Sequence, residues 1–209
     1  MKLYRGLQNI NFPEGCVATI GNFDGVHLGH QGVLKQTIKQ AKKLHLPATV
    51  IVFEPQPLEY FKGIESVARL TRFREKLTLF QDCGIDAVVC LNFNAALSKM
   101  NAHDFIEKVL HDKLNVRYLI AGADFQFGYN REGNFSMLKA AGVSHQMSLA
   151  PSKTITHEGE RVSSTQIRRA LADADFTRAT SLLGRIYSMS GRVIHGDKRG
   201  RTIGFPTAN

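Results

Sequence analysis

Gly21-Asn22-Phe23-Asp24-Gly25-Val26-His27-Leu28-Gly29-His30 decides the fold, because of what flanks it. The run before it, Cys16-Val17-Ala18-Thr19-Ile20, is short and apolar and reads as a buried strand. After it, Val33, Leu34, Ile38, Ala41 and Leu44 recur on one helical face. A strand, a glycine-rich turn and a helix together aim backbone N–H groups and a helix N-terminus at a phosphate. Gly21, Gly25 and Gly29 permit positive φ or close backbone approach. His27 and His30, three residues apart, present two imidazoles at one helix mouth, where the dipole opposes their full protonation. A structural metal is the rival use of such histidines. Zinc wants third and fourth ligands at recognisable spacing, and Cys16, Cys83 and Cys90 contain no Cys-x-x-Cys pair.

The same strand–helix rhythm continues outward. Ala48-Thr49-Val50-Ile51-Val52-Phe53 is a second buried strand, ended by Glu54-Pro55-Gln56-Pro57, which cannot extend a sheet. Phe53, Tyr60 and Phe61 beside it suit either a flavin pocket or the core. Thr71 to Cys83 reads as a helix with Phe73, Leu77 and Phe80 inward, stopped at Gly84. Ala87 to Leu91 is a third strand, and Asn101 with Asp104 opens a helix carrying Phe105, Ile106, Val109, Leu110 and Leu114. Tyr118 to Ala121 is a fourth strand and His145 to Ala150 a fifth. Alternation of this kind predicts an α/β fold with a doubly wound parallel sheet and right-handed crossovers. Asp173 to Gly184 is expected to form a short helix pair.

Two further stretches carry chemistry. Gly122-Ala123-Asp124-Phe125-Gln126-Phe127-Gly128 follows the fourth strand, where ligands sit in open α/β sheets. A planar ring could stack on a phenylalanine there while Asp124 accepts a hydrogen bond; a plain hairpin is the alternative. Arg161-Val162-Ser163-Ser164-Thr165-Gln166-Ile167-Arg168 is a strong helix N-cap cluster flanked by Arg161 and Arg168. Hydroxyls, free N–H groups and guanidinium forks suit a triphosphate.

Composition bounds the class. The chain has 209 residues, 43% hydrophobic and 22% charged, ordinary for a globular protein. No run approaches the roughly eighteen apolar residues of a membrane span. Met1-Lys2-Leu3-Tyr4-Arg5 lacks the apolar core of a signal peptide, and three unpatterned cysteines suggest a reducing compartment, so a cytoplasmic location is expected. The net charge of +9 favours polyanionic partners such as nucleic acids, acidic membranes or phosphorylated small molecules. No aromatic-studded basic groove is evident, and neither nucleic acid nor membrane is expected as a partner.

His27-Leu28-Gly29-His30 matches the HxGH signature of the nucleotidyltransferase superfamily, and GNFDGVHLGHQ resembles the bacterial bifunctional riboflavin kinase/FAD synthetases. The segments at Leu70–Lys76, Gly122–Gly128 and Val162–Arg168 resemble that family too. Gln56 departs from it, standing where Phe-x-Pro-His-Pro carries histidine. The resemblance implies a Rossmann-like adenylyltransferase domain over residues 1–184. Residues 185–209 would be a linker and the truncated start of a riboflavin kinase β-barrel, so the chain is expected to be a fragment. It implies transfer of AMP from ATP to FMN, giving FAD and pyrophosphate, with Mg²⁺. Riboflavin phosphorylation is expected only in the complete protein. By resemblance, ATP is held by Gly21, Asn22, Phe23, Asp24, Gly25, His27, His30, Arg161, Ser163, Ser164, Thr165 and Arg168. His27, His30 and Arg168 would be catalytic, and Asp124, Phe125 and Phe127 would hold the flavin. Thr207 and Asn209, in the Pro-Thr-Ala-Asn motif, would hold the kinase metal. Two rivals are another HxGH nucleotidyltransferase with a different acceptor and a basic nucleic-acid-binding module.

Overall fold

Six strands form the sheet, and the four inner ones are largely buried apolar runs. In the computed structural model, which describes residues 1–193, 196 and 199–205, the strands are β1 (Lys2–Arg5), β2 (Cys16–Ile20), β3 (Ala48–Glu54), β4 (Ala87–Asn92), β5 (Val116–Ala121) and β6 (Ser148–Pro151). They make one parallel sheet in the order β1-β4-β3-β2-β5-β6. Successive side chains of a strand point to opposite faces. Val17, Val50, Val52, Val88 and Cys90 therefore pack against Leu34 and Ala41 of α1 (Leu28–Leu44) and Phe80. Cys16, Ala18, Ile20, Ile51, Val89 and Leu119 face the other way, onto Phe105, Ile106, Val109, Leu110 and Leu138.

Helices α2 (Pro57–Lys62) and α3 (Phe73–Cys83) link β3 to β4. Between β4 and β5 lie two short helices, α4 (Ala95–Ser98) and α5 (Ala102–Asp104), and a π-helical run over Phe105–His111. Helix α6 (Phe135–Ser144) precedes β6. A two-stranded hairpin, β7 (Thr156–His157) with β8 (Glu160–Arg161), leads to α7 (Ser164–Ala172) and α8 (Phe176–Leu183). These last two helices pack Ile167, Leu182 and Leu183 with Leu70, Val162 and Leu28, at the start of α1.

The doubly wound parallel sheet is as expected, and so are the caps. Asn101 Oδ1 accepts from Asp104 N at 2.7 Å, and Gly84 ends α3 in the left-handed region with φ 90°. Four details differ. β1 has no apolar run; it is an edge strand between Lys2 and Arg5 in which Tyr4 alone is buried. α3 begins at Phe73 because the Thr71 N–H and hydroxyl are engaged elsewhere, on Asp24. The expected helix pair over Asp173–Gly184 is one helix, α8. Ala174 turns the chain at φ 56° and Asp175 accepts from Arg178 N at 2.9 Å to start it. Past Gly184 no strand occurs among the described residues, and Arg199–Thr202 form a single helical turn, α9. Thr207 and Asn209 lie outside the described residues.

Candidate active site

Order in the sheet reverses between β2 and β5: one winding runs out through β3 and β4, the other through β5 and β6. Ligands of doubly wound sheets bind at such a switch point, beyond the carboxyl ends of the strands. A cleft of about 1820 Å³ opens there, with Gly21 after β2 and Gly122 after β5 in its floor.

The loop after β2 is held in an unusual shape. Phe23 (φ 49°) and Val26 (φ 39°) both lie in the left-handed region, and Val26 is β-branched. Such a residue is a genuine conformational outlier, kept only where its surroundings over-determine it. Asp24 supplies much of that determination. Its carboxylate is buried and accepts from Leu70 N, Thr71 N, the Thr71 hydroxyl and Arg168 Nη2. Gly25 N donates to Thr71 Oγ1 at 3.0 Å, and Ser164 Oγ donates to the Asp24 carbonyl at 2.9 Å. Below the loop, the Lys76 ammonium, 1% exposed, donates to the Asn22 carbonyl at 2.7 Å. Burial lowers the Lys76 pKa, against the opposing pull of Asp24 and Glu54.

His27 is the N-cap of α1, and its Nδ1 accepts from His30 N at 3.3 Å. The two rings stack with centroids 3.6 Å apart, and His30 also leans on Phe23 at 5.1 Å. Gly29 makes room for this pair: a Cβ there would meet the His27 ring at 3.0 Å and the Val162 carbonyl at 3.2 Å. Burial lowers the His27 pKa to about 4, outweighing the Asp24 carboxylate. His30 is pushed well below the ordinary histidine value by burial, then by His27 and Lys76. Both are neutral at pH 7. With Nδ1 of His27 accepting, its Nε2 carries the proton and is a donor. His30 Nδ1 is buried and has no hydrogen-bond partner among the described residues.

The opposite wall comes from β5, β8 and α7. Asp124, Phe125 and Phe127 line it, Phe125 stacked on Phe127 at 5.4 Å. Phe127 is 7% exposed and also packs on Phe105, so it belongs to core and cleft at once. Arg161 Nη1 reaches across to Asp124 Oδ2 at 3.1 Å, both side chains being well exposed. Ser163 caps α7 with Gln166 in a reciprocal box, so this helix start, with Ser163 and Ser164, faces the same cleft. A third wall is aromatic: Phe53, Tyr60, Phe61 and Phe93 meet edge to face with centroids 5.2 to 5.8 Å apart.

Gly21, Asn22, Phe23, His27, His30, Arg161, Ser163, Ser164, Asp124, Phe125 and Phe127 thus share one cleft. Asp24, Gly25, Thr165 and Arg168 do not line it. The Arg168 guanidinium is turned inward, onto Asp24 and, through Nε, onto the Ala68 carbonyl at 2.7 Å. Asp24 and Arg168, both expected to bind ATP, are instead hydrogen-bonded to each other. Lys76, Phe93 and Arg185 were not anticipated. Arg185 Nη2 donates to the Gly25 carbonyl at 2.8 Å, so the first residue past the expected domain boundary also braces the loop. Its only sequence signal was a basic residue just after a helix-ending glycine. Gln56 is the N-cap of α2 and buried at 7%, its backbone N donating to Glu59 at 2.9 Å and its Nε2 without a partner among the described residues.

Residues 9–166 match the FAD synthetase family, and residues 183–209 match the riboflavin kinase family. The bifunctional riboflavin kinase/FMN adenylyltransferase of Escherichia coli K12 is 48% identical over 211 residues, covering all of this chain and 67% of that protein. The Haemophilus influenzae protein of the same name is 47% identical, with 68% of its length covered. The crystal structure of a macrolide-efflux protein from Streptococcus pneumoniae superposes with a TM-score of 0.81 at 28% identity, covering all of this chain and 68% of that one.

Proposed function

The chain belongs to the FAD synthetase family, and from that premise we propose that its cleft transfers AMP from ATP to FMN, releasing pyrophosphate. The observation that carries the proposal is the stacked, neutral His27–His30 pair at the α1 N-terminus, set in the cleft at the sheet's switch point. A phosphate oxygen of FMN attacks the α-phosphorus of ATP in line. The new O–P bond forms as the α–β bridging bond breaks, and its electron pair leaves with pyrophosphate. No covalent enzyme intermediate is required. Catalysis is then positioning plus stabilisation of charge on phosphoryl oxygens. Neutral imidazoles suit that task, since each offers an N–H without adding charge to the free site.

Ser163, Ser164 and the α7 N-terminus, with Arg161, hold the β and γ phosphates. Asp24 and Arg168 act by placement, fixing the loop that carries His27, and Thr165 stands in the first turn of α7. Phe125, Phe127 and the Phe53–Tyr60–Phe61–Phe93 group supply flat apolar surface for an isoalloxazine ring, with Asp124 at its polar edge. The donors lining the cleft, the carboxylates of Asp124, Glu160, Asp173 and Asp175 and the hydroxyls of Ser163 and Ser164, fit Mg²⁺ carried mainly by substrate phosphates. Held there, the ion would supply positive charge to offset that of the departing pyrophosphate. Riboflavin phosphorylation, named in the relatives, is proposed for the protein only with the rest of a riboflavin kinase module beyond the part matched by residues 183–209.

The test is to incubate the chain with ATP, Mg²⁺ and FMN and look for FAD by chromatography. Nicotinamide mononucleotide and phosphopantetheine serve as alternative acceptors, and single-stranded DNA as a binding competitor. FAD formed only from FMN is the expected result, and His30→Ala is expected to reduce it by about a hundredfold or more, with FMN affinity little changed. Adenylylation of another acceptor in place of FMN, or normal turnover in folded His30→Ala, overturns the assignment.

A further inference from the structure

The end of the molecule remote from the cleft holds a second group of chemistry-bearing side chains that adenylyl transfer does not use. Glu107 and His111 stand four residues apart on the π-helical run, and His145 is the C-cap of α6. One donor atom from each lies within 4.8 Å of the others, the one such grouping of three among the described residues. Glu107 Oε1 is 2.8 Å from His145 Nε2, and the two imidazoles are 4.5 Å apart between centroids. None of the three lines the cleft.

We propose that Glu107, His111 and His145 form a binding site for a divalent transition metal of the zinc class. Two imidazoles and a carboxylate, with a fourth position left for water, are a donor set that zinc takes, whereas Mg²⁺ and Ca²⁺ prefer oxygen alone. The outer shell is present as well. His111 Nδ1 is 2.9 Å from Asp112 Oδ1, a carboxylate placed to accept a hydrogen bond from Nδ1–H and so leave Nε2 as the ligand atom. The backbone around the site is non-standard on both sides. Asp112 N donates to the Glu107 carbonyl five residues back, at 2.8 Å, and π-helical turns of this kind recur at functional sites. Across from it, Gln146 turns the chain at φ 53° and Met147 N donates to the Gly142 carbonyl at 3.0 Å, fixing where His145 points. The three side chains are partly exposed, so an ion has a way in. Donors around a tetrahedral zinc at its usual bond lengths lie about 3.3 Å apart, so the Glu107–His145 contact needs to open by about half an ångström. Such an ion would tie the helical segment before β5 to the helix before β6, across one edge of the sheet.

Cobalt(II) is the optical probe, added to untagged chain freed of metal by a chelator and dialysed. The expected result is one equivalent bound with the visible bands of a tetrahedral site, displaced by zinc and not by Mg²⁺, and a higher Tm with zinc present. His111→Ala and His145→Ala should abolish the bands and the Tm shift. Asp112→Asn should weaken binding by roughly ten- to a hundredfold, the usual effect of losing an outer-shell carboxylate. FAD synthesis by these variants should be unchanged, and His27→Asn should bind cobalt as the parent does. Glu107→Gln keeps a hydrogen bond to His145 and so the fold, which serves if either histidine variant fails to fold. No binding at equimolar cobalt or zinc, or an unaltered spectrum in Glu107→Gln or in the double histidine variant, overturns the proposal.

Discussion

His27 shows how much work one buried imidazole does. It caps α1, stacks on His30 and is held neutral by burial, its pKa down at about 4. A histidine whose folded pKa lies below the unfolded value of 6.5 binds its proton more readily in the unfolded chain. Stability is therefore fully present above about pH 6.5 and is lost as pH falls toward 4. Between pH 7 and pH 5 this residue alone should remove about 2 kcal/mol. His27→Asn keeps a side-chain oxygen to cap His30 N while removing the titration. Urea midpoints measured at both pH values should differ less in His27→Asn than in the parent; an equal difference would show that His27 charges freely in the folded protein. Asp24, buried, and Arg168, half-buried, form the other decisive pair at the same loop. Asp24→Ala strands the Leu70 and Thr71 N–H groups and a partly buried guanidinium, and should cost about 3–5 kcal/mol in denaturant unfolding. Arg168→Lys keeps the charge and loses the fork that also reaches Ala68. It should lower stability by about 1 kcal/mol and raise KM for ATP through a loosened loop. A raised KM with unchanged stability would instead point to direct contact between Arg168 and ATP.

At the scale of elements, α1 balances two demands. Gly29 lies in its first turn, where alanine is favoured by about 1 kcal/mol in a helix interior. Its hydrogen is nonetheless what admits the His27 ring and the Val162 carbonyl. Gly29→Ala should displace His27 by a few tenths of an ångström and lower kcat by up to about a hundredfold, while the Tm changes little. Steady-state rates and melting curves on the same preparation check this; a parallel fall in both would mean that the clash breaks the helix start instead. The elements with strong signals were legible: buried strands as apolar β-branched runs, and α7 as a serine-capped helix with Ile167 and Ala170 inward. β1 was not, because an edge strand with one buried side chain has no run to read. The π-helical winding of Phe105–His111 was also invisible, since its apolar spacing is that of an ordinary helix.

At the scale of the molecule, the sheet, both helical layers and the cleft lie within the residues before α8 ends. Residues after it contribute bracing, such as Arg185 on Gly25 and Ser190 on Glu75. A polypeptide of these 209 residues is accordingly expected to make FAD from FMN and ATP and to leave riboflavin unphosphorylated. Chromatography of the two reactions side by side checks this, and FMN appearing from riboflavin would place a kinase site within the chain. Sequence by itself determined the alternation of strands and helices, hence a parallel doubly wound sheet. It also marked the two phosphate-type turns and the Asp124–Phe127 segment, because these depend on local periodicity, caps and glycines. Tertiary structure alone decided which side chains of those motifs face the cleft. Asp24 and Arg168 stand 144 positions apart, and Lys76 and Asn22 stand 54 apart. Whether a charge meets a phosphate or another side chain depends on burial and on the partners brought to it. Spacing along the chain carries neither.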